Sequence, residues 1–227
     1  MLRVLSVLLC ATALSLAACG GSDDKAAETN AAASPPAQGQ TGGCKDVEQP
    51  PPRDDGGQKP GRALDPGKTY EVVLATSCGP FTIRLDQKTS PKAAASFVSL
   101  ARHGFFDQTI FHRIVPGFVI QAGDPTAGGD GDPGYSTRDR VPRNVTYGPG
   151  VVALAKGGSE PPGTAGSQFF VVIGPGPGLT PGYALLGKVT KGMRVVRKIG
   201  KLGNAASGGA GTPLQSVVIE KASVRER

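Results

Sequence analysis

Large apolar side chains are nearly absent between Gly20 and Gly67, and from Lys68 onward they return with a period. Thr69–Thr76 (TYEVVLAT) and Phe81–Asp86 (FTIRLD) read as two strands joined by a tight turn over Ser77-Cys78-Gly79-Pro80. Ser90-Pro91 then marks a helix start, a capping residue followed by a proline whose missing N–H costs nothing in the first turn. Ala93, Phe97, Leu100 and Ala101 follow at helical spacing, and Gly104 supplies the stop. Short β-type runs come next, over Thr109–Val115, Phe118–Ala122, Val151–Ala155, Gln168–Ile173, Tyr183–Val189 and Val217–Val224. Gly/Pro-rich loops separate most of them. A second amphipathic helix fits Met193–Ile199, with Val195, Val196 and Ile199 inward. Eight strands and two helices in this order predict a mainly β fold, a closed antiparallel barrel with helices covering its open ends.

Composition fits that pattern and excludes an all-helical chain: the 227 residues include 34 Gly and 20 Pro, no Trp and two Met. Formal net charge is +7, but the basic residues are scattered and form no long Lys/Arg run, so a nucleic-acid partner is not expected. The N-terminus is a targeting signal. Arg3 precedes an apolar run, Val4–Ala18, that is short for a bilayer span. The run ends in Leu16-Ala17-Ala18-Cys19-Gly20, which resembles the lipobox of bacterial lipoproteins and implies lipidation at Cys19 after removal of residues 1–18. The alternative is a plain secretory signal.

Residues 19–67 (AAASPPAQGQTGG, EQPPPRDDGGQKPG) are expected to form a flexible tether, since they bury too little apolar surface to offset ordering entropy. With Cys10 removed and Cys19 lipidated, Cys44 and Cys78 remain as one candidate disulfide in an oxidising compartment. Two free thiols are the alternative, and two cysteines alone do not close a zinc site.

Several chemistries fail on inventory. The two histidines, His103 and His112, lack ligand-spaced partners, so no metal is expected. The prolines of Gly174-Pro175-Gly176-Pro177-Gly178 remove the N–H groups a phosphate loop would need. Gly128–Gly134 lacks the ordered acids and closing Glu of a calcium loop, and neither Ser159 nor Ser167 sits on a nucleophile elbow. What stands out is FHRIVPGFVIQAGD (Phe111–Asp124), where Arg113 lies among apolar residues with no acid beside it.

Together with GVVALAKGG (Gly150–Gly158), GTAGSQFFVVIG (Gly163–Gly174) and YALLGKV (Tyr183–Val189), this stretch resembles the cyclophilin family of peptidyl-prolyl cis–trans isomerases. The similarity runs from Lys68 to the C-terminus. It implies an eight-stranded antiparallel barrel capped by two helices, a monomer, proline-containing polypeptide substrates and no cofactor. Carried over by position, Arg113 is the catalytic arginine and Gln121 the glutamine that holds substrate and arginine. Phe118, Leu154, Phe170, Leu179 and Tyr183 would line the proline pocket, and Ala155 and Gln168 the substrate backbone groove. Lys156 departs from the family, standing where an Asn is common, and no Trp stands near Gly178, where some members carry one.

Each assignment has a plainer competitor. Arg113 alone reads as a rim arginine packing its stem on apolar neighbours, and Phe118 and Phe170 as core aromatics. Phe118 and Gln121 also differ in strand parity, so Pro116-Gly117 must bend the chain or a bulge must intervene. The expected function is acceleration of X–Pro isomerisation in exported proteins by a lipid-anchored, extracytoplasmic enzyme. A catalytically weak module that binds proline-containing segments, and a tethered scaffold whose basic surface holds acidic envelope polymers, are the rival readings.

Overall fold

The computed structural model describes residues 43–175 and 178–227. The signal segment, the lipidation expected at Cys19 and the tether as far as residue 42 lie outside them, as do residues 176–177 of the Gly174–Gly178 loop.

The opening hairpin pairs β1 (Tyr70–Thr76) with β2 (Gly79–Leu85) through the two-residue turn Ser77-Cys78. Helix α1 (Pro91–Arg102) follows, then β3 (Thr109–Ile110), β4 (Arg113–Val115) and β5 (Val119–Ala122). The remaining strands are β6 (Thr137–Arg138), β7 (Val151–Leu154), β8 (Thr164–Ala165), β9 (Phe169–Val172), β10 (Leu185–Lys191) and β11 (Val218–Glu226). Helix α2 (Met193–Gly200) and a 3-10 segment (Ala205–Ala210) separate β10 from β11. All the strands but two join one antiparallel sheet in the order β3-β11-β1-β2-β10-β7-β9-β5-β4, and β6 and β8 form a small separate ribbon.

The fold is thus mainly β, with a curled sheet and few helices, and it differs in detail from eight closed strands. The run Thr109–Val115 is divided at Phe111-His112, because its backbone changes partners there: Phe111 N–H donates to Val217 O at 2.9 Å and Ile114 N–H to Gly211 O at 2.7 Å. The two edges of the sheet, β3 and β4, are therefore successive pieces of one run. The inward row across β4, β5, β9 and β7 is Ile114, Ile120, Val171 and Val152, all fully buried with Val72, Leu74, Phe81 and Ile83 from the other strands. Helix α1 adds Phe97, whose ring lies 4.6 Å from Phe106 and meets Phe169 edge-on at 5.4 Å.

The start of α1 is capped from a distance. Ser90 occupies the N-cap position but makes no side-chain capping bond. The nearly buried Asp139 accepts from Ala93 N–H at 2.8 Å and Lys92 N–H at 3.2 Å instead. A carboxylate here satisfies two orphan donors and meets the positive end of the helix dipole. At the other end Gly104 takes φ +72°, and Phe105 N–H returns to Leu100 O at 3.0 Å, closing the helix where the glycine predicts.

The flexible tether expected up to Gly67 needs correction over residues 43–67. This segment lies along the domain as a strap. Cys44 is disulfide-bonded to Cys78 in the β1–β2 turn, and Lys45 N–H donates to Ser77 O at 2.8 Å. Farther along, Arg53 N–H reaches Pro125 O at 2.9 Å, Gly57 N–H reaches Pro133 O at 2.8 Å, and Leu64 packs on the core. Composition predicted freedom because the strap has little apolar surface of its own. Backbone hydrogen bonds to the domain and one covalent bridge supply what it lacks.

Asp139→Ala leaves two N–H groups at the helix start without an acceptor. We expect it to lower unfolding free energy by about 1–2 kcal/mol in urea titration, with Asp139→Asn recovering part of the loss.

Candidate active site

Strand register assembles the site. Arg113 on β4 pairs with Gln121 on β5, Gln121 with Phe170 on β9, and Phe170 with Ala153 on β7. Cross-strand partners share a face, so these four side chains form one outward row, back to back with the buried Ile114–Ile120–Val171–Val152 row. The parity conflict between Phe118 and Gln121 is resolved by a turn. Phe118 precedes β5, and its N–H donates to Val115 O at 3.0 Å across Pro116-Gly117, with Gly117 at φ +71°. The bend returns Phe118 to the Gln121 side, where it packs against the apolar cluster that contains Phe170.

The pocket wall is an apolar cluster of Val119, Tyr147, Ala153, Phe170 and Val172, with Phe118, Ala155, Leu179 and Tyr183 packed against it. Of the residues read from the sequence, Arg113, Phe118, Gln121, Ala155, Gln168, Phe170, Leu179 and Tyr183 come together here. Leu154 does not. Strand alternation turns it inward to the main core at 0 % exposure, while its neighbours Ala153 and Ala155 face the site. Val119 takes the lining position instead, on the same side of β5 as Gln121, a parity signal available in the sequence. Tyr147 joins the site from outside the motifs. Its hydroxyl donates to Tyr183 O at 2.7 Å and accepts from Tyr183 N–H at 3.0 Å, fixing the loop that carries Tyr183. Phe170 and Tyr183 stack edge-on at 5.2 Å.

The polar part is a directed relay. Arg113 Nε donates to Gly209 O at 2.9 Å, and Nη1 donates to Gln121 Oε1 at 3.3 Å. A guanidinium only donates, so Gln121 presents its oxygen to Arg113 and its amide group to Gln168 Oε1, at 2.9 Å. Gln168 Nε2 then donates to Gly129 O and Gly131 O, both at 2.9 Å. Among the described residues no carboxylate lies within 4.0 Å of the Arg113 guanidinium. Its centre stands 5.9 Å from the Phe118 ring centroid, within cation–π range. Burial lowers its pKa from the ordinary arginine range, the Tyr183 hydroxyl opposes the shift, and the group stays cationic.

The glycine-rich stretch after α2 carries part of the site unseen by the motif reading. Gly211, at φ +66°, leaves no room for a side chain: a Cβ there would stand 2.7 Å from Val115 Cγ2 and 2.8 Å from Arg113 Cγ. Its signal in the sequence is the run Gly208-Gly209-Ala210-Gly211.

Behind the relay, Asp124 is fully buried and organises the loop that presents Gly129 and Gly131. It accepts from Thr126 N–H at 2.7 Å, Thr126 Oγ1 at 2.8 Å and Gly129 N–H. Burial acts to raise its pKa, but the bonds from Thr126, Gly129 and Gly131 outweigh that and hold it below the ordinary 3.8. His112 stands beside Arg113, and neither ring nitrogen has a hydrogen-bond partner. Burial lowers its pKa below 6.5 and the Arg113 charge adds to this, with Asp124 and the Gln168 side chain opposing. A groove of about 680 Å³ continues from Gln121 and Gln168 past Ala155 and Lys156. A second cavity, about 740 Å³, lies between the strap and α1 away from Arg113. Among the described residues no cluster of three or more His, Cys, Asp or Glu forms a metal site.

Residues 71–224 match the family model described as cyclophilin type peptidyl-prolyl cis-trans isomerase/CLD. Peptidyl-prolyl cis-trans isomerase CYP18-2 of Arabidopsis thaliana is 38% identical over 140 residues, 60% of this chain and 84% of that protein. Peptidyl-prolyl cis-trans isomerase-like 1 of Aspergillus oryzae is 36% identical over 160 residues, 69% of this chain and 96% of that protein. A crystal structure of a cyclophilin type isomerase from Cryptosporidium parvum superposes with a TM-score of 0.62 at 28% identity, covering 69% of this chain and 98% of that one. A second crystal structure of that protein, in the presence of the dipeptide Ala-Pro, gives 0.61 at 28% identity over 68% of this chain and 98% of that one.

The sign of the His112 effect follows from its lowered pKa. Below pH 6.5 the unfolded chain takes up a proton that folded His112 resists, so stability is full above that pH and lost as pH falls. Asp124 acts in a separate window, below 3.8. We expect the melting temperature to fall between pH 6.5 and 5, and His112→Gln to flatten that slope.

Proposed function

The chain belongs to the cyclophilin-type peptidyl-prolyl cis–trans isomerase family, and from that premise we propose how its residues accelerate X–Pro rotation and where in the cell they do so. The reaction breaks no covalent bond. Its obstacle is amide resonance, a barrier of roughly 18–20 kcal/mol, which leaves the uncatalysed change taking tens to hundreds of seconds. Resonance weakens when the prolyl nitrogen becomes pyramidal and its lone pair accepts a hydrogen bond.

Arg113 is the donor in this reading. Of the five N–H bonds a guanidinium carries, Gly209 and Gln121 occupy two, so three remain for substrate. The observation that carries the proposal is the way the guanidinium is held: two neutral oxygens, Gly209 O and Gln121 Oε1, direct it without discharging it. In an apolar setting a fixed positive fork favours the twisted state over the planar one. Phe118, Val119, Phe170 and Leu179 hold the pyrrolidine ring so that the acyl side turns about the bond. Ala155 and Gln168 line the groove for the preceding backbone, and Tyr183 closes the far wall. His112 moves no proton, because the reaction transfers none. The solved relative studied with Ala-Pro supports proline-containing segments as the substrate class.

The same reading takes the curled sheet as a closed barrel, since its edge strands are successive in the chain. It also places a monomeric enzyme on the extracytoplasmic side of a membrane, lipid-anchored at Cys19 and acting on exported proteins. The lipobox-like Leu16–Gly20 and the Cys44–Cys78 disulfide support that setting.

In a proline-switch peptide assay Arg113→Ala is expected to lose roughly a hundredfold or more in kcat/KM. Wild-type turnover at background, unchanged by Arg113→Ala, would leave a proline-binding module in place of an enzyme. Mass spectrometry of the mature N-terminus is expected to find a diacylglyceryl-modified Cys19. An unmodified residue at any other position would refute the anchor.

A further inference from the structure

The relay that directs Arg113 ends on the carbonyls of Gly129 and Gly131, and the stretch carrying them is held from outside at both ends. Arg53 N–H donates to Pro125 O at 2.9 Å and Gly57 N–H to Pro133 O at 2.8 Å. Neither proline has an N–H of its own, so each meets the strap's backbone through its carbonyl alone. Arg53 is further tied by Nη2 to Phe105 O at 2.6 Å. Just beyond Gly57, Gln58 O accepts from Ser99 Oγ at 2.8 Å and Tyr135 Oη at 3.3 Å. Upstream the strap is bound to the β1–β2 turn through Cys44–Cys78. The fit at Gly57 is close: a Cβ there would lie 2.4 Å from Leu100 Cδ2 and 2.6 Å from Pro133 Cβ.

We infer that residues 44–58 are a positioning strap for the isomerase site, fastened by the disulfide and by Gly57. The strap fixes the ends of the Pro125–Pro133 stretch, the stretch fixes Gln168, and Gln168 sets Gln121 and thereby the direction of the Arg113 guanidinium. No residue of the strap itself lines the apolar pocket or the groove, which it reaches only from behind through Tyr135, so it governs turnover and not substrate affinity. The inference rests on Arg113 as the catalytic donor.

The test uses the full chain and two independent variants, Cys44→Ser with Cys78→Ser, and Gly57→Ala, assayed well below their own melting temperatures. Each is expected to lower kcat about three- to tenfold with KM changed less than twofold, and to add nothing in an Arg113→Ala background. The side-chain amide signals of Gln121 and Gln168 are expected to shift in both. Unchanged kcat and unchanged amide signals, with only a lower melting temperature, would make the strap a stabiliser and overturn the inference. An equal fall in kcat with and without Arg113 would overturn it too, since the strap would then act by another route. Full activity in Arg113→Ala alone refutes the functional reading, a separate outcome.

Discussion

The active site depends on the register of four short strands. Arg113, Gln121, Phe170 and Ala153 stand opposite one another across β4, β5, β9 and β7, and their chain neighbours Ile114, Ile120, Val171 and Val152 fill the core. A slip of one residue would put the guanidinium in the core and the isoleucines in water. The core therefore holds the chemistry in place: the apolar burial that fixes the register also fixes which face carries the arginine. None of these strands exceeds four residues, so the specification comes from side chains on both faces and not from strand length.

A guanidinium on an apolar face would ordinarily be met by a carboxylate. Here the carboxylate in the signature, Asp124, is buried and spent on Thr126 and Gly129, one step behind the glutamine relay. The arrangement separates two tasks that an ion pair would merge. Neutral amides steer Arg113, and the negative charge orders the loop that steers the amides. A carboxylate bound to Arg113 would have taken up N–H groups that the proposed mechanism leaves for substrate.

Both helices and most strands were legible because hydrophobic period, proline at a helix start and glycine at a helix end are local signals. The cap on α1 was not legible: Ser90 has the right type and position, but the acceptor is Asp139, distant in sequence. The inventory of the site was legible from its motifs, whereas its facing was not wholly so. The motif puts Leu154 in the pocket although alternation along β7 turns it to the core, and it gives no mark to Val119 beside the more conspicuous Phe118. The conflict between Phe118 and Gln121 was visible in the sequence, and the Pro116-Gly117 turn accounts for it. Residues 43–67 misled because composition reports what a segment can bury by itself, and this one is ordered by carbonyls and a cysteine belonging to the rest of the chain.

The division of Thr109–Val115 has a consequence for the edges of the sheet. Exposed strand edges recruit other strands. The sheet's two edge strands are two and three residues long and belong to one run, and Ile114 N–H in β4 is already taken by Gly211. Along β3 and β4 themselves, little edge is left on which another strand could continue the sheet. The two strands that bound the sheet are thereby poor templates for further β-pairing.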